Sequence, residues 1–122
     1  MACLRLSAAA QADIFNLLLW TTDRFGHAAR IRYEALLFAT LADIAADPLR
    51  PGSIPRPELG DYVRSYHLRY GKQRARASGA IVARPRHLVL YRIRETGTID
   101  VGRVLHEVME LERHVRFDFP DQ

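Results

Sequence analysis

LRLSAAAQADIFNLLLWTTDRFG, residues 4–26, contains the signals that start and stop two elements. Leu4 and Leu6 alternate with Cys3 and Arg5, a short strand signal that ends at Ser7. Serine is a good N-cap, because its hydroxyl accepts from an otherwise unpaired first-turn amide. A helix over roughly 8–22 is therefore expected, with Ala10, Ile14, Leu17, Leu18 and Thr21 on one face. Gly26 is placed to end it, since glycine reaches the left-handed C-terminal conformation at no steric cost.

Downstream, Ala28, Ile31, Ala35, Phe38, Ala42 and Ala45 recur at three and four, which predicts a second helix over 27–46. Two amphipathic helices joined so tightly make an antiparallel hairpin. Pro48, Pro51, Gly52, Pro55 and Pro57 then rule out helix or central strand over 48–57. Three strand candidates follow: Tyr62–Tyr70, His87–Arg94 and Thr98–His106, with Thr96-Gly97 as a tight hairpin turn. Small, polar and basic, Gly71–Pro85 reads as a long mobile hairpin arm. Glu107–Val115 reads as a short helix and 116–122 as a loose tail. The expected fold class is α+β, in the order β-α-α-β-β-β(-α). A helical hairpin covers one face of an antiparallel sheet and leaves the other partly open. That second face, with Leu88, Leu90 and Val104 as candidates, is not cleanly polar, so something besides water is expected to cover it.

The chain has 122 residues, enough for one domain with its own core. Its one cysteine, Cys3, cannot form an internal disulfide. The beginning MACLRLSAAA lacks the pattern of a signal peptide, and the longest apolar run, Leu17 to Trp20, is too short for a membrane span. A cytoplasmic location without membrane attachment is the expectation.

The formal net charge is +4, and its distribution says more than its size. Residues 62–94 hold nine basic side chains (Arg64, Arg69, Lys72, Arg74, Arg76, Arg84, Arg86, Arg92, Arg94) and no acidic one, whereas both flanks are slightly acidic. Such a surface suits a macromolecular partner, either nucleic acid or an acidic protein. Tyr62, Tyr66, Tyr70 and Tyr91 are interleaved with it and could stack on bases.

Cofactor chemistry finds no support. His27, His67, His87, His106 and His114 are scattered, and HEVMELERH is not the H-E-x-x-H zinc pattern. The glycines do not cluster into a phosphate loop, and Cys3, Ser65 and Ser78 lack a nucleophile's setting. No cofactor, metal ligand or catalytic residue is nominated.

In this order, several stretches resemble the ParE toxins of the RelE/ParE superfamily. They are the opening 6–26; Asp47-Pro48; Arg64-Ser65-Tyr66-His67-Leu68-Arg69; Pro85 through Arg92; and Arg103 through Met109 followed by His114. The likeness spans residues 4–115. It implies the small RelE/ParE α+β fold and a toxin of a type II toxin–antitoxin pair that poisons DNA gyrase without turning over a substrate. It also implies a cognate antitoxin, with a ribbon-helix-helix part and an amphipathic tail that wraps the toxin. Candidate partner-binding residues are then Arg64, His67, Arg69, Arg86, Leu88, Leu90, Arg92, Arg103 and His106. The alternatives are a ribosome-dependent mRNA nuclease of the RelE branch, or a remnant that only holds its antitoxin. Against the nuclease, Glu107 follows His106, no tyrosine comes after Tyr91, and Leu88 stands where some of those nucleases hold arginine.

Overall fold

The computed structural model describes residues 2–95 and 97–109. The elements run β1 (Cys3–Leu6), α1 (Ala8–Phe25), α2 (His27–Ala46), β2 (Ile54–Pro55), a 3-10 turn (Pro57–Leu59), β3 (Val63–His67), a second 3-10 turn (Leu68–Gly71), α3 (Lys72–Ala77), β4 (His87–Ile93) and β5 (Thr98–His106). The α+β class expected from the sequence is what forms.

Ser7 does cap α1: its hydroxyl accepts from the Ala10 amide at 2.9 Å and donates to the Gly102 carbonyl at 2.7 Å, so one side chain joins a helix start to β5. Gly26 sits at φ 93° and passes the chain directly from α1 to α2. Its amide donates to the Thr22 carbonyl, and its own carbonyl accepts from the Arg30 amide. α1 runs three residues past the expected end because nothing before Gly26 breaks the pattern.

The sheet order is β1-β5-β4-β3-β2. Three pairings are antiparallel, but β1 lies parallel to β5, with Cys3 opposite Thr98. The expected antiparallel sheet is thus mixed. The helical hairpin returns the chain to the β2 side, and β1 remains as a parallel edge on the far side. Parallel neighbours need a long crossover, which everything between β1 and β5 supplies.

Two further expectations change. The stretch 71–85 is not a free arm: its first part is α3, docked on α2 through buried Gly71 and Ala75. The strand expected over Tyr62–Tyr70 ends at His67, where the 3-10 turn begins. The proline-rich loop contributes a two-residue edge strand, compatible with Pro55 because its missing amide faces no partner at the rim. Glu107–Met109 form a turn, closed by the Met109 amide on the His106 carbonyl. The rest of the expected terminal helix and tail lies outside the described residues.

The main core lies between hairpin and sheet, with Leu17, Leu36, Leu37, Ile44, Tyr66, Val89, Tyr91 and Val101 among its buried members. Val104 belongs here and not to the second face. A bulge between Leu90 and Tyr91 leaves Gly102 unopposed, so Val104 pairs with Val89 over the helices. The other face carries a smaller cluster of Val63, Leu88, Leu90 and Leu105, with Leu59 packed against it. Leu88 and Leu90 are 8% and 0% exposed, so that face is not the bare apolar surface expected for them.

Beyond Leu6, the free edge of β5 is closed by α1. Asp13 accepts the Val104 amide at 2.9 Å and grips Arg103 through two bonds of 2.7 and 2.8 Å. No helix among the described residues is long and apolar enough to cross a membrane.

Candidate partner-docking surface

Three histidines converge where β3 and β5 end and β4 begins. His87 lies opposite His106 across β4 and β5, with their rings edge to face at 5.4 Å. His67 lies opposite Leu88 on the other side of the sheet. Glu107 joins His67 to Arg86: one carboxylate oxygen is 2.7 Å from His67 Nε2, the other 3.2 Å from Arg86 Nη1. These two bonds hold the Glu107 carboxyl below its usual range, His67 contributing first and Arg86 second. His67 Nδ1 accepts the Arg69 amide, which fixes its ring from the other side.

Tyr33 reaches this corner from α2. Its hydroxyl accepts the Arg86 amide at 3.1 Å and lies 2.7 Å from His87 Nδ1. While accepting that amide, the hydroxyl is free to donate its own proton to Nδ1, the arrangement allowed by a neutral ring that carries its hydrogen on Nε2. Burial first, then the neighbouring imidazoles of His106 and His67, lowers the His87 pKa to about 4. Burial likewise raises Tyr33 to about 12. Neither group is poised to exchange a proton near neutrality.

Beside this corner, a groove of about 1010 Å³ opens between the helical hairpin and the 81–87 segment. Its walls are mostly apolar, with Trp20, Phe25, Ile81 and Met109 exposed there and Arg32, Arg84 and Arg86 at the rim. Trp20 and Phe25 meet edge to face at 5.7 Å, and the Arg24 guanidinium lies over the indole. Large aromatics left this exposed, beside cationic groups, are the usual anchors of a protein interface.

The nine candidate residues do not form one patch. His67, Arg86 and His106 meet at the histidine corner, and Arg69 adjoins His67 through its backbone. Arg64 points to the proline-rich loop, donating to the Ser53 hydroxyl at 2.6 Å and carbonyl at 3.2 Å. Arg92 sits mid-sheet between Val63 and Asp100, and Arg103 is clamped by Asp13. Leu88 and Leu90 are buried in the smaller cluster. Tyr33, Trp20 and Phe25 were not singled out by sequence. The one available signal was that Trp20 falls off the apolar face of α1 and still is not polar, while Phe25 continues that face past the expected end of the helix. Among the described residues, no group of three or more His, Cys, Asp or Glu could hold a metal.

No curated protein matches the chain. Residues 4–111, most of its length, match the family model described as ParE toxin of type II toxin-antitoxin system, parDE, and the protein therefore belongs to that family of toxins.

Proposed function

We propose that this toxin acts by binding DNA gyrase, that it breaks no bond with its own side chains, and that a ribbon-helix-helix antitoxin neutralises it by laying an amphipathic segment into the groove beside the histidine corner. The groove carries this reading. It is long, apolar, rimmed by Arg32, Arg84 and Arg86, and walled by exposed Trp20 and Phe25, which suits a helix with an apolar face and acidic flanks. The half-buried Tyr33–His87 pair is not suited to turnover. A nuclease needs a base and an acid titrating near neutrality, whereas His87 is depressed to about 4 and Tyr33 raised to about 12. His106 Nδ1 already accepts the Val108 amide at 3.3 Å.

The purified toxin should block supercoiling by gyrase and leave ribosome-associated mRNA intact, in the parent and in His106→Gln alike. Cleaved mRNA with normal supercoiling, lost in His106→Gln, would move the protein to the nuclease branch. For the antitoxin, Trp20→Ala and Phe25→Ala should each weaken binding by about 2 kcal/mol, roughly thirtyfold and mainly through faster dissociation. Unchanged dissociation in the double variant would place the antitoxin elsewhere.

A further inference from the structure

One basic surface has no part in the groove's apolar wall or in the histidine corner. Residues 68–77 form a continuous helical segment, a 3-10 turn running into α3. Leu68, Gly71 and Ala75 are its buried side, packed toward α2. Arg69, Lys72 and Arg76, spaced three and four apart, therefore lie together along one flank of that buried side. Arg69 and Arg76 are exposed, and Lys72 is half-exposed. Lys72 donates its ammonium to the Ala83 carbonyl at 3.1 Å, which fastens the returning loop alongside and adds exposed Arg84 to the row.

The nearby carboxylates are committed elsewhere. Asp43 is buried and takes Arg74 at 2.6 Å and Arg50 at 3.5 Å, and Glu107 takes His67 and Arg86. Among the described residues, no carboxylate pairs with Arg69, Arg76 or Arg84; the Arg69 guanidinium instead covers the Tyr70 ring at 5.4 Å. Of the exposed side chains between these cations, Gln73, Ala77, Ser78 and Gly79 are small or polar, the Tyr70 ring lies under the Arg69 guanidinium, and Ile81 lines the groove. That composition decides the class of partner. A protein interface of useful affinity needs a desolvated apolar or aromatic anchor at its centre, and the one ring within this row, Tyr70, is already stacked on Tyr66 and covered by Arg69. A polyanion needs no anchor, because binding is driven by release of the counterions condensed on it. Duplex DNA has the densest such atmosphere, about one charge per 1.7 Å of axis.

We infer that Arg69, Lys72, Arg76 and Arg84 form a sequence-independent site for the phosphate backbone of duplex DNA. The site shares Arg84 with the rim of the antitoxin groove, and it does not depend on gyrase being the target. Four cations facing phosphates give a slope of log affinity against log salt of about −3.6. Affinity at physiological salt falls in the range of about 10⁻⁴ to 10⁻⁶ M that is usual for non-specific binding.

Fluorescence anisotropy of the purified toxin with two unrelated labelled 20-base-pair duplexes, titrated over a salt series, tests this. Both duplexes should bind equally well. Arg76→Gln with Arg84→Gln should weaken binding about tenfold or more and reduce the slope by about 1.8. Arg24→Gln with Arg30→Gln, which removes the same net charge from the helical hairpin, should leave both unchanged. Thermal melting of each variant checks that the fold is intact. No binding, an equal loss in the two double variants, or a salt-independent affinity overturns the inference. Tighter binding of polyglutamate or of single-stranded RNA at the same salt also overturns it, and reassigns the row to that partner.

Discussion

Gly71→Ala should destabilise the toxin by about 3 kcal/mol, although its backbone is one that alanine adopts freely. Gly71 sits at φ −87° and ψ −4°, ordinary helical territory. From unfolded-chain entropy alone, alanine would stabilise by about 0.4–1 kcal/mol. Space decides the sign the other way. A Cβ there would lie 2.2 Å from the Thr40 hydroxyl oxygen and 3.0 Å from the Thr40 Cα. Thr40 is fully buried and its hydroxyl donates to the Leu36 carbonyl, so it cannot swing aside. Overpacking a rigid interior typically costs about 1–3 kcal/mol, and this contact belongs at the upper end. Adding Thr40→Ala removes the closest atom but not the Cα, so the double variant should recover only part of the loss. Urea unfolding of the four proteins measures the cycle. A Gly71→Ala protein as stable as the parent would mean that α3 does not dock on α2 as closely as described.

Lowering the pH from 7 to 4.5 should weaken the fold, and His87 should carry much of the loss. Its pKa is about 4 in the folded chain against 6.5 ordinarily. The neutral ring is favoured by folding, so the stabilisation is complete above 6.5 and disappears as pH falls from 6.5 toward 4. The gap is worth at most about 3 kcal/mol. Protonation puts a hydrogen on Nδ1 opposite the hydroxyl hydrogen of Tyr33, and sets a charge beside His106 and His67. Glu107, also nearby, acts lower, because its carboxyl is held below the ordinary 4.5. Denaturation curves at half-unit pH steps should show the decline, and His87→Gln, which accepts from Tyr33 without titrating, should flatten it. An equally steep decline in His87→Gln would assign the sensitivity to other groups.

The helical hairpin was legible because its signals are local: Ser7, Gly26 and a three-four periodicity lie within a few residues of what they control. α3 was not, because its docking side is made of glycine and alanine. Close approach, and not apolar bulk, holds Gly71 and Ala75 on α2, and a hydropathy pattern does not register that. The parallel edge was equally silent, since four alternating residues state which side faces the core but not which way a partner runs. At the candidate site, the charge map pointed to residues 62–94, whereas the groove's aromatic wall, Trp20 and Phe25, comes from α1. The map could not distinguish Arg103, spent on Asp13, from Arg76, left facing solvent. The Tyr33–His87 contact joins residues 54 positions apart, and no spacing rule reaches that far.

The parallel pairing of β1 with β5 also governs when the toxin can exist. Cys3 leaves the ribosome 95 residues ahead of its sheet partner Thr98. At about 5–20 residues per second, that is a delay of roughly 5–20 s. During it the helical hairpin can form, but one edge of the sheet stays open and the Asp13 clamp has no Arg103 to hold. A prematurely terminated chain, or one cut before β5, is therefore not a weakened toxin but an unclosed one. In the order of synthesis, the last of the described strands closes the sheet.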